Sequence, residues 1–372
     1  MNGWLQRGAP WLLAGALLLA WAQVRAERVP LQRLSLGDVG GWIEVVVQVQ
    51  GRPGRWIIDT GSTRHIVSRS FAERHALAIG ASVRVETAGG AVNGTEVSLP
   101  ALHIGAWRQA GQSAVRIDDL GGVLGPAGEG IEGILGLPLL RGHTLDLDLR
   151  DWTLALGSST TDTTTPCPEG TQALDLGVYR GLPVITVRVN DAAAESLLLD
   201  TGNPAAVVRI EATPARAAAP GLALAASVSV GALQRTQVPV VRLNAPALHR
   251  ALAPDLQGLA GTALLDGTRW WIDLDRRRAC VEPRRLAVPG GFGLSLTQRG
   301  EGVVLETVLP GSPAALAGLR EGDVVQHWVT GPPSGALRAL WARVQGRDDI
   351  EVQAGSQARV VLRRSHFLPA LP

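Results

Sequence analysis

At 372 residues the chain is longer than one hydrophobic core usually spans, so two or three domains are expected. A hydrophobic fraction of 46% with only 18% charged residues supplies packed cores and excludes an intrinsically disordered chain. The net charge of +2 excludes a bulk basic field that would recruit nucleic acid or an anionic membrane.

The chain opens on a short stretch bearing Arg7, followed by an apolar run from Trp11 to Ala22. The triplets Ala20-Trp21-Ala22 and Val24-Arg25-Ala26 come at its end. This is the layout of a secretory signal peptide over 1–26, cut after Ala22 or Ala26, and the run is short for a membrane span. An uncleaved anchor is the alternative. No Cys follows the run, which speaks against a lipid anchor, so an exported and periplasmic chain without a stable membrane span is expected. Cys167 and Cys280 then meet an oxidising compartment, where one disulfide is favoured over two free thiols. Two independent buried thiols are the alternative.

Two stretches run in parallel. "LSLGDVGGWIEVVVQVQGRPGRWIIDTGS" (34–62) and "LDLGVYRGLPVITVRVNDAAAESLLLDTGN" (174–203) each give an apolar strand, a polar turn, a second apolar strand and Asp-Thr-Gly. Further along, "GILGLPLL" (133–140) matches "GLAGTALL" (258–265), and "LDLDLRDWTLAL" matches "WWIDLDRRRACV". Four landmarks in one order make a duplicated domain, with the second copy shorter between its landmarks. Short β-branched runs between turn signals predict mainly β lobes. A helix is expected after each Asp turn, the first within "RSFAERHAL" (69–77). Between the copies "GSSTTDTTTPCPEGT" (157–171) reads as a linker.

One Asp-Thr-Gly is a weak signal, since Asp and Gly are ordinary turn residues. Two of them, each ending an apolar strand at equivalent places of a duplication, are a strong one. A twofold relation can bring Asp59 and Asp200 together at the seam, where both cannot ionise and one proton is shared. The ionised member can then act as general base on a water while the protonated one polarises a carbonyl.

These residues resemble the pepsin and retroviral-type aspartic peptidases over roughly residues 30–285. Asp59-Thr60-Gly61-Ser62 fits the family's active-site motif in full; Asp200-Thr201-Gly202 fits too, but Asn203 departs from the usual Ser, Thr or Ala. The family's crossing behind the turn, two hydrophobic residues and a Gly, is matched by Ile134-Leu135-Gly136 and by Leu259-Ala260-Gly261. The resemblance implies Asp59 and Asp200 as the catalytic pair, and Thr60 and Thr201 as hydroxyls tying the two loops together. Gly61 and Gly202 supply turns that a Cβ would hinder. The Ser62 hydroxyl, and Asn203 likewise, is expected to hydrogen-bond the adjacent carboxylate, which makes Asp59 the better candidate for the lower-pKa member of a coupled pair whose values belong to both. "VRVETAGGAVNGTEVSL" (83–99) resembles the family's flap, with Ala88, Gly89 and Gly90 at its tip; an ordinary surface β-turn is the alternative. The chain's only Tyr is Tyr179, so the pepsin flap Tyr is missing and the first copy looks nearer the retroviral type. His65 is read as structural.

From about Pro289 the pattern changes. Ser312-Pro313 caps a short helix ending at Gly318. "VLPGSPAALAGLREGD" resembles a PDZ domain of the bacterial exported-protease kind. That resemblance implies that Phe292-Gly293-Leu294 receives a peptide's C-terminus, with "ALRALWARV" (336–344) as the wall of the groove. A fold serving only for packing is the alternative.

"GEGIEG" (128–133) fits a dinucleotide fingerprint, but the Pro-containing "ILGLPLL" follows where a helix should begin. No G-x-S-x-G, H-E-x-x-H or C-x-x-C is present. The expected organisation is a signal peptide (1–26), a first lobe (27–157), a linker (158–171), a second lobe (172–285) and a small α+β PDZ domain (286–372). Two pseudo-twofold-related pepsin/retropepsin-like β lobes in one monomeric chain would form an aspartic endopeptidase. It would take polypeptide in the cleft and a peptide end on the PDZ groove, with no metal or organic cofactor implied. The rival expectation is a peptide-binding scaffold, non-catalytic or very narrow in substrate.

Overall fold

The computed structural model describes residues 27–35, 37, 40–87, 90–125, 128–159, 167–211, 221–244, 249 and 256–371. The expected signal segment, Ala88 and Gly89 of the expected flap tip, and residues 160–166 of the linker lie outside these residues. The protein is mainly β, and its sheets follow the duplication.

In the first lobe the strands Gly41–Val49 and Arg52–Ile58 pair antiparallel. Val45, Val47 and Val49 point into the core while Val46 and Gln48 face solvent, the period of two that a half-buried strand requires. Gly133–Leu135 then runs parallel to Arg52–Ile58, with Ile134 opposite Ile57, and antiparallel to His65–Ser68. The helix Arg69–Arg74 starts where Ser68 Oγ accepts from the N–H of Phe71, and it buries Phe71 edge-on against Trp56. A long hairpin, Ile79–Thr87 with Gly90–Ser98, extends the sheet through Ser113–Ile117.

The second lobe repeats the plan. Leu182–Val189 pairs with Glu195–Leu199, and Gly258–Ala260 runs parallel to the latter and antiparallel to Val207–Glu211. The hairpin of Gly221–Val230 and Leu233–Asn244 returns to Leu182–Val189, closing this sheet into a barrel. No helix occurs between Asp200 and Glu211, and residues 212–220 lie outside the described ones.

Between the lobes lies a shared sheet in the order Arg28–Pro30, Thr153–Ser158, His143–Asp148, Arg269–Asp273, Arg278–Val281, Gln172–Asp175. Each lobe gives three strands, and the central pair sets Asp146 opposite Trp271. Asp146 binds Arg28 at 2.8 Å and Arg269 at 2.7 Å, one cation from each half. Cys167 is disulfide-bonded to Cys280, which sits buried in the fifth strand, so the end of the linker is tied to this sheet. One continuous core runs through both lobes.

The C-terminal module has its own core, built around Phe292, Trp328, Leu340 and Trp341. It is not a separate bead. Arg285–Ala287 pairs with Leu233–Asn244, so the second lobe continues past the boundary expected at 285. The chain end comes back to the lobe as well: Leu224 N–H donates to Pro369 O and Leu371 N–H to Leu224 O. Gln345, just beyond the helix Leu337–Ala342, donates to the Ser35 hydroxyl of the first lobe at 2.6 Å. Among the described residues no helix is long and apolar enough to cross a membrane.

Candidate active site

Each Asp-Thr-Gly turn begins where a buried strand runs out, after Ile58 and after Leu199. The strand behind each turn fixes it at the same two points. Asp59 N–H donates to Leu135 O and Asp200 N–H to Ala260 O, both at 2.9 Å. Leu137 N–H donates to Ser62 O and Thr262 N–H to Asn203 O, both at 2.8 Å. The hydrophobic-hydrophobic-Gly segments therefore hold the turns in the same manner in both lobes.

Below the carboxylates the two threonines exchange bonds across the seam. Thr60 N–H donates to Thr201 Oγ1 and Thr201 N–H to Thr60 Oγ1, each at 3.0 Å. Each hydroxyl passes its own proton to the opposite strand, Thr60 to Leu199 O at 2.6 Å and Thr201 to Ile58 O at 2.8 Å. Both side chains are buried, so every donor and acceptor has to be met from within, and it is.

This grip brings each turn against the other's acid. A Cβ on Gly61 would lie 2.4 Å from Asp200 Oδ1, and one on Gly202 would lie 2.4 Å from Asp59 Cγ. Only glycine fits at either place. The two carboxyls face each other, half-buried, each close enough to the other to shift its titration. Loss of surrounding water pushes both above the ordinary aspartate range. Asp59 is raised less, because the N–H groups of Gly61, Ser62 and Gly202 and the Asp200 hydroxyl all favour its charge. Asp200 is raised well above its ordinary value: beyond burial it feels the negative charge of Asp59, and only Gly202 and Asn203 N–H oppose.

The structure corrects two expected roles. The Ser62 hydroxyl donates to Arg64 O at 2.8 Å rather than to Asp59; it is the Gly61 backbone N–H that serves the carboxylate, at 2.8 Å. The Asn203 side chain accepts from Ala205 N–H at 3.2 Å and packs beside Gly261, so it too leaves its acid to the backbone. In both cases the side chain closes its own turn two residues ahead, as Ser and Asn do.

Two residues brace the turns: His65, read as structural in the sequence, and Trp42, which the sequence did not announce. His65 is fully buried, and its Nδ1 accepts from Gly136 N–H at 3.1 Å, bracing the crossing strand behind Asp59. Burial lowers its pKa to about 4, so the ring is neutral at pH 7. Trp42, in the first lobe, donates its indole N–H to Gly202 O in the second at 2.7 Å. The only trace of it in the sequence is an indole in one repeat where the other has Leu182.

Of the expected flap, the strands form the hairpin described above and the tip residue Gly90 has φ +114°. Arg64, five residues past Asp59, pairs with Glu96 on this hairpin at 2.8 Å. In the C-terminal module Phe292 O accepts from Ala314 N–H and Gly293 O from Leu309 N–H, so both loop carbonyls point inward. The strand Leu294–Arg299 that follows pairs along one edge only among the described residues. No cluster of three or more metal-binding side chains occurs among the described residues.

Residues 45–139 match a family model described as aspartyl protease. The match spans Asp59, the hairpin and the crossing strand of the first lobe. A comparison with curated proteins finds no match.

Proposed function

We propose that this chain is an exported aspartic endopeptidase whose Asp59 and Asp200 share one proton and hydrolyse a peptide bond with an activated water. The reciprocal seating of each carboxyl against the other turn's glycine carries this reading, because nothing in a folded core requires two acids there. Ionised Asp59 takes a proton from water as the oxygen attacks the scissile carbonyl, and Asp200 gives its proton to the carbonyl oxygen. The tetrahedral diol then collapses: Asp59 passes its proton to the departing nitrogen and Asp200 recovers one from a hydroxyl. Atoms and charges balance, and no covalent intermediate is needed.

The seam between the lobes would hold the substrate extended, with the hairpin Ile79–Thr87 and Gly90–Ser98 as its flap. The C-terminal module would act as a PDZ domain, adding a peptide beside Leu294–Arg299 with its terminus at Phe292-Gly293-Leu294. Segment 1–26 would direct export to the periplasm.

A statine-containing peptide, whose hydroxyl imitates the diol, tests the reading directly by calorimetry. It should bind the wild type and bind Asp59→Asn and Asp200→Asn at least about 100-fold more weakly. Equal binding by all three proteins would remove the dyad from the mechanism.

A further inference from the structure

We infer that Trp42 is a positioning residue of the first lobe that clamps the turn carrying Asp200 in the second. The inference rests on the peptidase reading for its consequence, though not for its geometry.

The indole is 7% exposed, and its ring packs with Leu34, Ile57 and Ile131; Ile57 lies two residues before Asp59. From that fixed seat the N–H reaches Gly202 O at 2.7 Å. The backbone beside it is equally close to the second turn, since a Cβ on Gly40 would lie 2.2 Å from Pro204 O. The clamp is therefore short, buried and anchored on the strand that carries the other acid.

Its chemistry follows from the peptide group it grips. Gly202 N–H donates to the Asp200 carboxylate at 2.9 Å, and Asn203 N–H, which shares one amide with the Gly202 carbonyl, closes the turn by donating to the main-chain O of Asp200 at 3.1 Å. A hydrogen bond to the carbonyl polarises the amide and strengthens its N–H on the far side. Trp42 thus strengthens the bond that closes the turn and holds Gly202, whose N–H serves the acid, in place. The titratable group facing Asp200 is Asp59, and the indole itself does not titrate.

The duplication supplies the control. Gly41-Trp42 in the first copy aligns with Gly181-Leu182 in the second, and leucine has no proton to give. The Asp59 turn therefore lacks the corresponding clamp, and the lobes hold their acids unequally.

The test replaces Trp42 in the full-length protein in two ways. Trp42→Phe keeps a ring without a donor, and benzothienylalanine at position 42 keeps the indole shape with sulfur in place of N–H. Each is compared with wild type by turnover of an unfolded protein across pH, by carboxyl carbon NMR of labelled aspartates, and by thermal melting. With the clamp, kcat falls about tenfold, the worth of one such bond, while KM moves less than about twofold. The alkaline limb of the profile and the Asp200 titration both move upward in pH, since the Gly202 N–H is no longer held against the carboxylate. A purely structural indole would lower the melting temperature of Trp42→Phe and leave the benzothienyl protein equal to wild type in every readout, which overturns the inference. If the wild type cleaves nothing, the peptidase reading fails, and the NMR titration alone still decides the clamp.

Discussion

Asp200 and Asp59 are alike in sequence and unlike in surroundings, and the difference sets how stability depends on pH. Both carboxyls hold their proton more tightly in the folded protein than the ordinary aspartate value of 3.8 implies. The fold is thus favoured fully below that value and loses the advantage as pH rises through the raised values. Asp200→Asn should therefore melt at a higher temperature than wild type at pH 7, with the gap closing at pH 3, as calorimetry can check. His65 works in the opposite direction. Its pKa falls from 6.5 to about 4 on folding, so its contribution is complete above pH 6.5 and is lost as pH drops toward 4. The shift corresponds to roughly 3 kcal/mol. In His65→Asn the melting temperature should vary much less between pH 6.5 and 4 than in wild type. The two acids were legible because a duplicated Asp-Thr-Gly has few other uses. The hydroxyl of Ser62 and the amide of Asn203 were misread because a motif names a residue and leaves its rotamer open. Trp42 and His65 act through contacts made by distant segments, which no local pattern records.

The pair of threonines shows why the elements must come as a matched set. A strand ends, the chain turns, and a second strand crosses behind, and this occurs twice with the same hydrogen bonds. Thr201→Val would leave the buried Thr60 N–H and Ile58 O without their partner, and Thr60→Val would do the same to Thr201 N–H and Leu199 O. Each should cost about 1–3 kcal/mol in denaturant unfolding, with equal losses because the roles are equivalent. Apolar runs, turn residues and the repeat were enough to anticipate these strands and the helix Arg69–Arg74. The closure of the second lobe into a barrel was not, since it depends on Arg188 and Val189 meeting Ser229 and Val228. Such pairing is fixed by strand length and twist rather than by any local run of residues.

At the scale of the whole molecule the shared sheet and one disulfide hold the two acids in register. Cys167 and Cys280 are 113 residues apart, and closing so long a loop stabilises by about 4 kcal/mol. Cys280→Ala should lower the midpoint accordingly, and a reductant should then have no further effect on that variant. The duplication made the two-lobe plan legible, because the strands that meet at the seam are the paired landmarks "LDLDLRDWTLAL" and "WWIDLDRRRACV". The return of residues 369–371 to Leu224 was not legible, since a bare tail of Pro, Ala and Leu carries no pairing signal. Truncation after Leu368 should loosen the C-terminal module, read as faster hydrogen exchange around Leu224 and Arg285–Ala287. The proposed joint action of the two carboxyls at this seam is tested most plainly by hydrolysis of casein from pH 3 to 8 by wild type, Asp59→Asn and Asp200→Asn. Wild type should give a bell-shaped profile and each variant a loss of about 100-fold or more, with all three folded. Absence of cleavage by wild type across that range, or turnover by either variant close to wild type, would contradict it.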